Sequence, residues 1–228
     1  MSLKVRLICL PLFLACASAA GAQQPQADPA SKQEPPAAKK NARPATEAAA
    51  APAEPFDKAT PAEMSAKCVT LETAAGKIEI EMLAEAAPET ARNFLNLAAS
   101  GAFDTTVFSR VVPGFVVQGG NLATREKLTQ ELLRRGRRTV PDEPNAVKHL
   151  RGVVSMARSA EANSATTHFF ILVSDSPHLD GTFAAFGRVR SGMEAVDAMN
   201  KAEVEGDKPK KPVRLDRAAV AACAPQAK

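Results

Sequence analysis

Between Cys68 and Ala222 the chain alternates short runs of Val, Ile, Leu and Phe with turn residues, and this punctuation limits the fold more than any other feature of its 228 residues. Eight of the ten phenylalanines fall in that stretch, so the core lies there. VTLETAAGKIEIEML reads as two strands about a turn at Gly76, with period-two alternation through Lys77, Ile78, Glu79 and Ile80. Further short strands are expected in TTVFSRVV, GFVVQGG, GVVSMA, HFFILV, FAAFGRV and VRLDRAAVAA. Two helices interrupt them. PETARNFLNLAAS opens on Pro88 and stops at Gly101, with Phe94, Leu97 and Ala98 on one face. The second is expected from Ser191, which fits a capping box with Glu194, and its apolar side is Val196 and Met199. Many short strands and two helices predict a mainly β fold, an antiparallel barrel with helical covers.

What precedes this stretch is built differently. Residues 1–22 join a basic start to an apolar run, Leu7 to Ala15, and then to small residues, which predicts a secretory signal peptide. Phe13-Leu14-Ala15-Cys16 offers an alternative, a lipoprotein box that would leave the chain lipid-anchored through Cys16. Residues 23–65 are predicted to be a disordered Ala/Pro-rich linker, because eight of the seventeen prolines lie between Gln23 and Pro61 and little there is able to build a core. The globular domain is then 66–228. A periplasmic or otherwise exported protein is expected, with no transmembrane span, since the leader's apolar run is short and no later one approaches the length required. Removing Lys4 and Arg6 with the leader leaves 27 basic against 25 acidic residues, which does not suggest a nucleic-acid partner. Cleavage also leaves two cysteines, Cys68 and Cys223, at the two ends of the domain. In an oxidising compartment they form a candidate disulfide, the alternative being two separate buried thiols.

The segment with most chemistry in it is FDTTVFSRVVPGFVVQGG, Phe103 to Gly120. It sets one arginine, Arg110, inside an apolar strand, where a charge is costly without a partner or a task. Pro113-Gly114 makes a turn, and period two then places Val116 and Gln118 on one face with Phe115 just before them. Spacing alone leaves two roles open for Arg110: a group working on a ligand, or an arginine paired with a carboxylate at a barrel rim.

This segment resembles the cyclophilin family. The likeness extends to Gly152-Val153-Val154-Ser155-Met156-Ala157, to Ser164-Ala165-Thr166-Thr167-His168-Phe169-Phe170-Ile171, to Leu179-Asp180-Gly181 and to Phe186-Gly187-Arg188-Val189, in the family's order and spacing. The resemblance implies a closed eight-stranded antiparallel barrel capped by two helices, and peptidyl-prolyl isomerase activity on proline-containing polypeptide segments without a cofactor. It puts Arg110 on the catalytic arginine. Phe115, Val116, Phe170 and Leu179 fall on the apolar pocket for the proline ring, and Gln118 on the side chain that holds a substrate carbonyl. Ala157, Arg158, His168, His178 and Phe183 complete the implied substrate-binding set, but several depart from the family. Ser109 stands where many relatives carry His, and His168 where Gln is usual. Arg158 replaces an Asn of eukaryotic relatives, Phe183 a frequent His or Tyr. His178 occupies the place of an aromatic residue associated with strong cyclosporin binding, so weak cyclosporin binding is expected. The expected form is a monomer.

Other readings are plainer. None of the three histidines, His149, His168 and His178, has the close spacing of a metal site, so no metal is expected, and His149 reads as a solvated loop residue. Leu122 to Val140 looks like an insertion. Lys127 to Arg135 within it has helical character ending at Gly136, and its basic run reads as a solvated face rather than a dock for an acidic client. A non-catalytic peptide-binding module or chaperone with the same pocket is the alternative function. A surface-tethered scaffold is a third, resting only on the linker and Cys16.

Overall fold

Alternation in the sequence becomes alternation in space: a computed structural model describes residues 53–225, and nearly every apolar run named from the sequence is a strand. The strands are β1 (Lys67–Thr73), β2 (Gly76–Met82), β3 (Arg110–Val112), β4 (Val116–Gly119), β5 (Val153–Met156), β6 (Phe169–Leu172), β7 (Ala185–Ser191) and β10 (Leu215–Ala222), with a small separate hairpin of β8 (Val204–Glu205) and β9 (Lys208–Pro209). Helices are α1 (Pro61–Ser65), α2 (Pro88–Ala99), α3 (Gln130–Arg135) and α4 (Met193–Asn200). The predicted signal peptide, the Cys16 alternative and residues 23–52 of the linker lie outside the described residues.

The large sheet runs β10-β1-β2-β7-β5-β6-β4-β3, and all its pairings are antiparallel. It has two ends, so the expected closed barrel is corrected to an open half-barrel. The cause is local to TTVFSRVV, which delivers only three residues to the ladder. Thr105 adopts φ +62, and the Thr106 amide and hydroxyl both donate to the Phe103 carbonyl, so the chain is still turning where a strand was expected. Only one isolated bridge, Val107 to Arg214, links the chain just ahead of β3 to the chain just ahead of β10.

One face of the sheet holds the main core. Phe94 of α2 meets Phe103, Phe169 and Phe186 at ring-centroid distances of 5.3, 5.1 and 4.9 Å. The N-cap of α2, Ala87, supplies no capping side chain; Glu143 does so from 54 residues away, accepting from Glu89 N at 3.0 Å and Thr90 N from 2.7 Å. The helix expected from Ser191 starts later. Ser191 still pairs with Glu79 in the sheet, and Gly192 is the N-cap at φ +90 with no side-chain cap, so the Ser191–Glu194 box does not form. Any Cβ at Gly192 would lie 2.0 Å from the Lys77 carbonyl oxygen.

Two further corrections concern what was expected to be solvated. The linker does not extend to residue 65: Thr60 and Glu63 form a capping box on α1, Met64 is fully buried, and Phe56 packs on the core. Arg92 donates to the Phe56 and Ala59 carbonyls, and Asn96 accepts from Phe56 N at 2.8 Å, so α2 holds this segment. The basic insertion is mostly solvated, yet Arg135 is not. With Arg138 it clasps Glu54. Cys68 and Cys223 form the disulfide foreseen from the sequence, across the β1–β10 edge with Cα atoms 4.9 Å apart. Among the described residues no helix is long and apolar enough to cross a membrane, and no cluster of His, Cys, Asp or Glu is able to hold a metal ion.

Candidate functional site

A second, smaller apolar cluster lies apart from the main core. Its buried members are Val116, Val153, Phe170, Leu172, Leu179 and Ala185, and Val112, Phe115, Ala157 and Phe183 pack against it. Alternation along the short strands explains this: Val117 and Ile171 go to the main core, and Val116, Phe170 and Leu172 to the other cluster.

Register then builds the site. Arg110 pairs with Gln118 across β3–β4, Gln118 with Phe170 across β4–β6, and Phe170 with Ser155 across β6–β5. A cation, an amide and a phenyl ring thus form a row across three adjacent strands. Arg110 Nη1 lies 3.4 Å from Gln118 Oε1, while Nε donates to Asp207 Oδ2 at 3.0 Å and Nη2 lies 2.8 Å from the same oxygen. Of the two roles that spacing left open for Arg110, the pairing with a carboxylate is the one the contacts display, and the register also sets the arginine in the row that leads to the apolar floor.

The remaining predicted residues gather around that floor. Phe170 and Phe183 make an edge-to-face pair at 5.8 Å, and the Arg158 guanidinium lies 5.4 Å from the Phe183 ring centroid. Phe115 and His178 stack at 5.5 Å on a tilt of 37°, and His178 is exposed. The short 3-10 turn Pro177–Leu179 carries His178 outward and Leu179 into the cluster. His168 sits just before β6, and its carbonyl accepts from Ala157 N at 2.9 Å. Burial lowers the pKa of its imidazole, so the neutral ring dominates at neutral pH. Close backbone contact fixes its place: at Gly120, φ +83, a Cβ would stand 2.2 Å from the Thr167 carbonyl oxygen. All eleven predicted catalytic and substrate-binding residues lie in one neighbourhood. Cys68 and Cys223 do not belong to it.

Sequence reasoning missed two features. Asp207, 97 residues from Arg110, lies in an ordinary charged turn, and nothing in its spacing signals the contact. His149 was expected in solvent but is 1% exposed. Its Nε2 is 3.0 Å from Ser155 Oγ and its Nδ1 3.2 Å from Asp180 Oδ1, the layout of a nucleophile, a base and a carboxylate. Ser155 is fully buried in β5, so no acyl group reaches it, and the array instead ties β5 to the loop bearing Leu179. Asp180 also accepts from the His149 backbone N–H at 2.8 Å and pairs with Lys148 at 3.1 Å, and these contacts, the backbone one foremost, lower its pKa to about 2. A polar cavity of about 130 Å³ lies elsewhere, against Glu54, Arg92, Asn96, Arg135 and Arg138, and its charged lining does not suit a proline ring.

Comparison with known proteins places this geometry in company. Residues 68–220 match the family model described as cyclophilin type peptidyl-prolyl cis-trans isomerase/CLD. Peptidyl-prolyl cis-trans isomerase A of Dickeya dadantii is 35% identical over 164 residues, covering 67% of this chain and 83% of the relative. A peptidyl-prolyl cis-trans isomerase of Acinetobacter baylyi is 33% identical over 159 residues, 64% of this chain and 81% of that one. The crystal structure of a Cryptosporidium parvum cyclophilin type isomerase, determined in the presence of the dipeptide Ala-Pro, aligns with TM-score 0.60 and 28% identity, over 68% of this chain and 98% of its own.

Proposed function

This chain belongs to the cyclophilin type peptidyl-prolyl cis-trans isomerases and has that activity, and we propose that it turns X-Pro bonds of exported polypeptides on the face bearing Arg110. The observation that carries the assignment of the face is the row Arg110, Gln118, Phe170 beside the floor of Val116 and Leu179.

The barrier to be lowered, about 18–20 kcal/mol, comes from amide resonance, and uncatalysed X-Pro exchange takes on the order of tens to hundreds of seconds. As the bond twists, the prolyl nitrogen turns pyramidal and gains a lone pair. A donor placed at that nitrogen binds the twisted state better than either planar isomer, which is the condition for catalysis. Arg110 is that donor, because a guanidinium stays protonated at working pH and presents its N–H groups in a rigid fork. Val116, Phe170 and Leu179 hold the proline ring, with Phe115 and Phe183 at the rim. Gln118 and the neutral His168 engage the substrate backbone, Ala157 and Arg158 line the stretch beside them, and the acyl half of the substrate rotates. No proton moves and no covalent bond forms.

Export is supported by the leader-like residues 1–22 and by the Cys68–Cys223 bridge, a bond that persists in oxidising compartments. The activity and its site are tested together by a protease-coupled isomerisation assay on a short X-Pro peptide, with wild type beside Arg110→Ala. Acceleration that disappears in Arg110→Ala is the expected result. A wild type that binds the peptide without accelerating its isomerisation would support the peptide-binding module instead.

A further inference from the structure

Arg110 lies on a three-residue edge strand with its side chain 41% exposed, so left to itself it would sample many rotamers in solvent. A donor that must meet a pyramidal nitrogen has to be held in place. Gln118 does not suffice, because its contact is 3.4 Å long and reaches only one terminal nitrogen. Asp207 grips the side of the fork through Nε and Nη2. It is itself anchored by main chain. Its carbonyl accepts from Val111 N at 2.8 Å, the residue next to Arg110, and the turn between β8 and β9 that carries it is closed by Gly206 at φ +61. The hairpin's backbone therefore bonds to β3 while its carboxylate bonds to the arginine that β3 presents. Of the five guanidinium N–H groups, hydrogen bonds to Asp207 and Gln118 occupy Nε–H and one on Nη1, leaving donors on both terminal nitrogens for a substrate.

The geometry points to Asp207 as the positioning residue of Arg110, setting the direction in which the fork meets the twisting imide. This rests on the reading of Arg110 given above. Asp207 touches no reacting atom; it acts by narrowing the orientations of the group that does. Both partners are exposed, so the pair contributes little to stability, and its effect on rate is separable from folding.

The test measures kcat and KM for isomerisation of one X-Pro peptide by wild type, Arg110→Ala, Asp207→Asn, Asp207→Glu, and Arg110→Lys with and without Asp207→Asn. Asp207→Asn is expected to lower kcat about fivefold, the effect available from ordering one exposed ion pair, with KM within about a factor of two and an unchanged melting temperature. Asp207→Glu restores part of the loss. In the Arg110→Lys background Asp207→Asn changes kcat less than about twofold, because an ammonium has no side for a carboxylate to grip. Unchanged or raised kcat in Asp207→Asn, alongside an inactive Arg110→Ala, overturns the positioning role and leaves the assignment of Arg110 standing. An inactive wild type or a fully active Arg110→Ala overturns both.

Discussion

Opening the Cys68–Cys223 bridge should destabilise the protein while sparing its chemistry. The cysteines are 155 residues apart, so the bridge closes nearly the whole domain into one loop. Chain-entropy arithmetic for a loop of that length gives about 5 kcal/mol at 25 °C as an upper value, lost mainly through a freer unfolded chain. The native state itself changes little, because β1 and β10 remain paired from Lys67↔Ala222 to Thr73↔Leu215 without the bond. Fraying is confined to the open end, where Cys223 N donates to the Ala66 carbonyl. Native relaxation and residual structure in the unfolded chain trim the upper value, so Cys68→Ala/Cys223→Ala is expected to lose about 3–5 kcal/mol in urea unfolding and about 10 °C in melting temperature. Thiol reduction of the wild type should give a matching loss. Isomerase activity at 25 °C should stay within about twofold of wild type, since the bridge lies at the far end of the eight-residue β10 from the Val107–Arg214 contact near β3. A loss below about 1 kcal/mol by both routes would refute the loop argument, and a large loss of activity in still-folded protein would refute the separation of bridge from site.

Other outcomes follow from the same structure. Asp180 has its pKa lowered to about 2, so its hydrogen bonds stabilise the fold above the ordinary carboxylate range and are lost as pH falls from about 4 toward 2; Asp180→Asn should flatten that part of the acid-unfolding curve, and an unaltered curve would count against the array. Burial lowers the His168 pKa, so the ring is neutral above its unfolded value of about 6.5 and its protonation at lower pH opposes both folding and binding. The value of kcat/KM should therefore hold steady from pH 8 to about 6.5 and decline below it, with the decline absent in His168→Gln; a profile identical in the two proteins would remove His168 from the site. Cyclosporin should bind weakly, because the family resemblance puts His178 where an aromatic residue is associated with strong binding; a titration reaching nanomolar inhibition would contradict this.

Much of this protein was legible in the order of its residues. Period two and turn chemistry are local, so the eight strands of the sheet, the Gly76 turn and α2 were all readable from neighbours in sequence. Arg110 stood out because a charge inside an apolar strand is locally anomalous, and the four family-like blocks located the rest of its surroundings. Cys68 and Cys223 were readable as a candidate pair once a leader is set aside, with two separate buried thiols as the alternative, and the folded chain joins them.

What only the tertiary structure decided involves partners far apart in the chain, to which local patterns are blind. Whether eight strands close depends on how many residues a bent segment delivers to the ladder, and Thr105 and Thr106 hold TTVFSRVV to three. Phe56 and Met64 fall inside the predicted linker 23–65, and only the folded chain packs them on the core, with Arg92 and Asn96 receiving the backbone at Phe56. His149 looked solvated because its partners Ser155 and Asp180 come from separate elements. Asp207 carries the same lesson into the site: the Pro113-Gly114 turn and period two bring Arg110 near Gln118, but only the folded chain sets Phe170 beside Gln118 and brings a carboxylate from 97 residues away to set how that arginine is held.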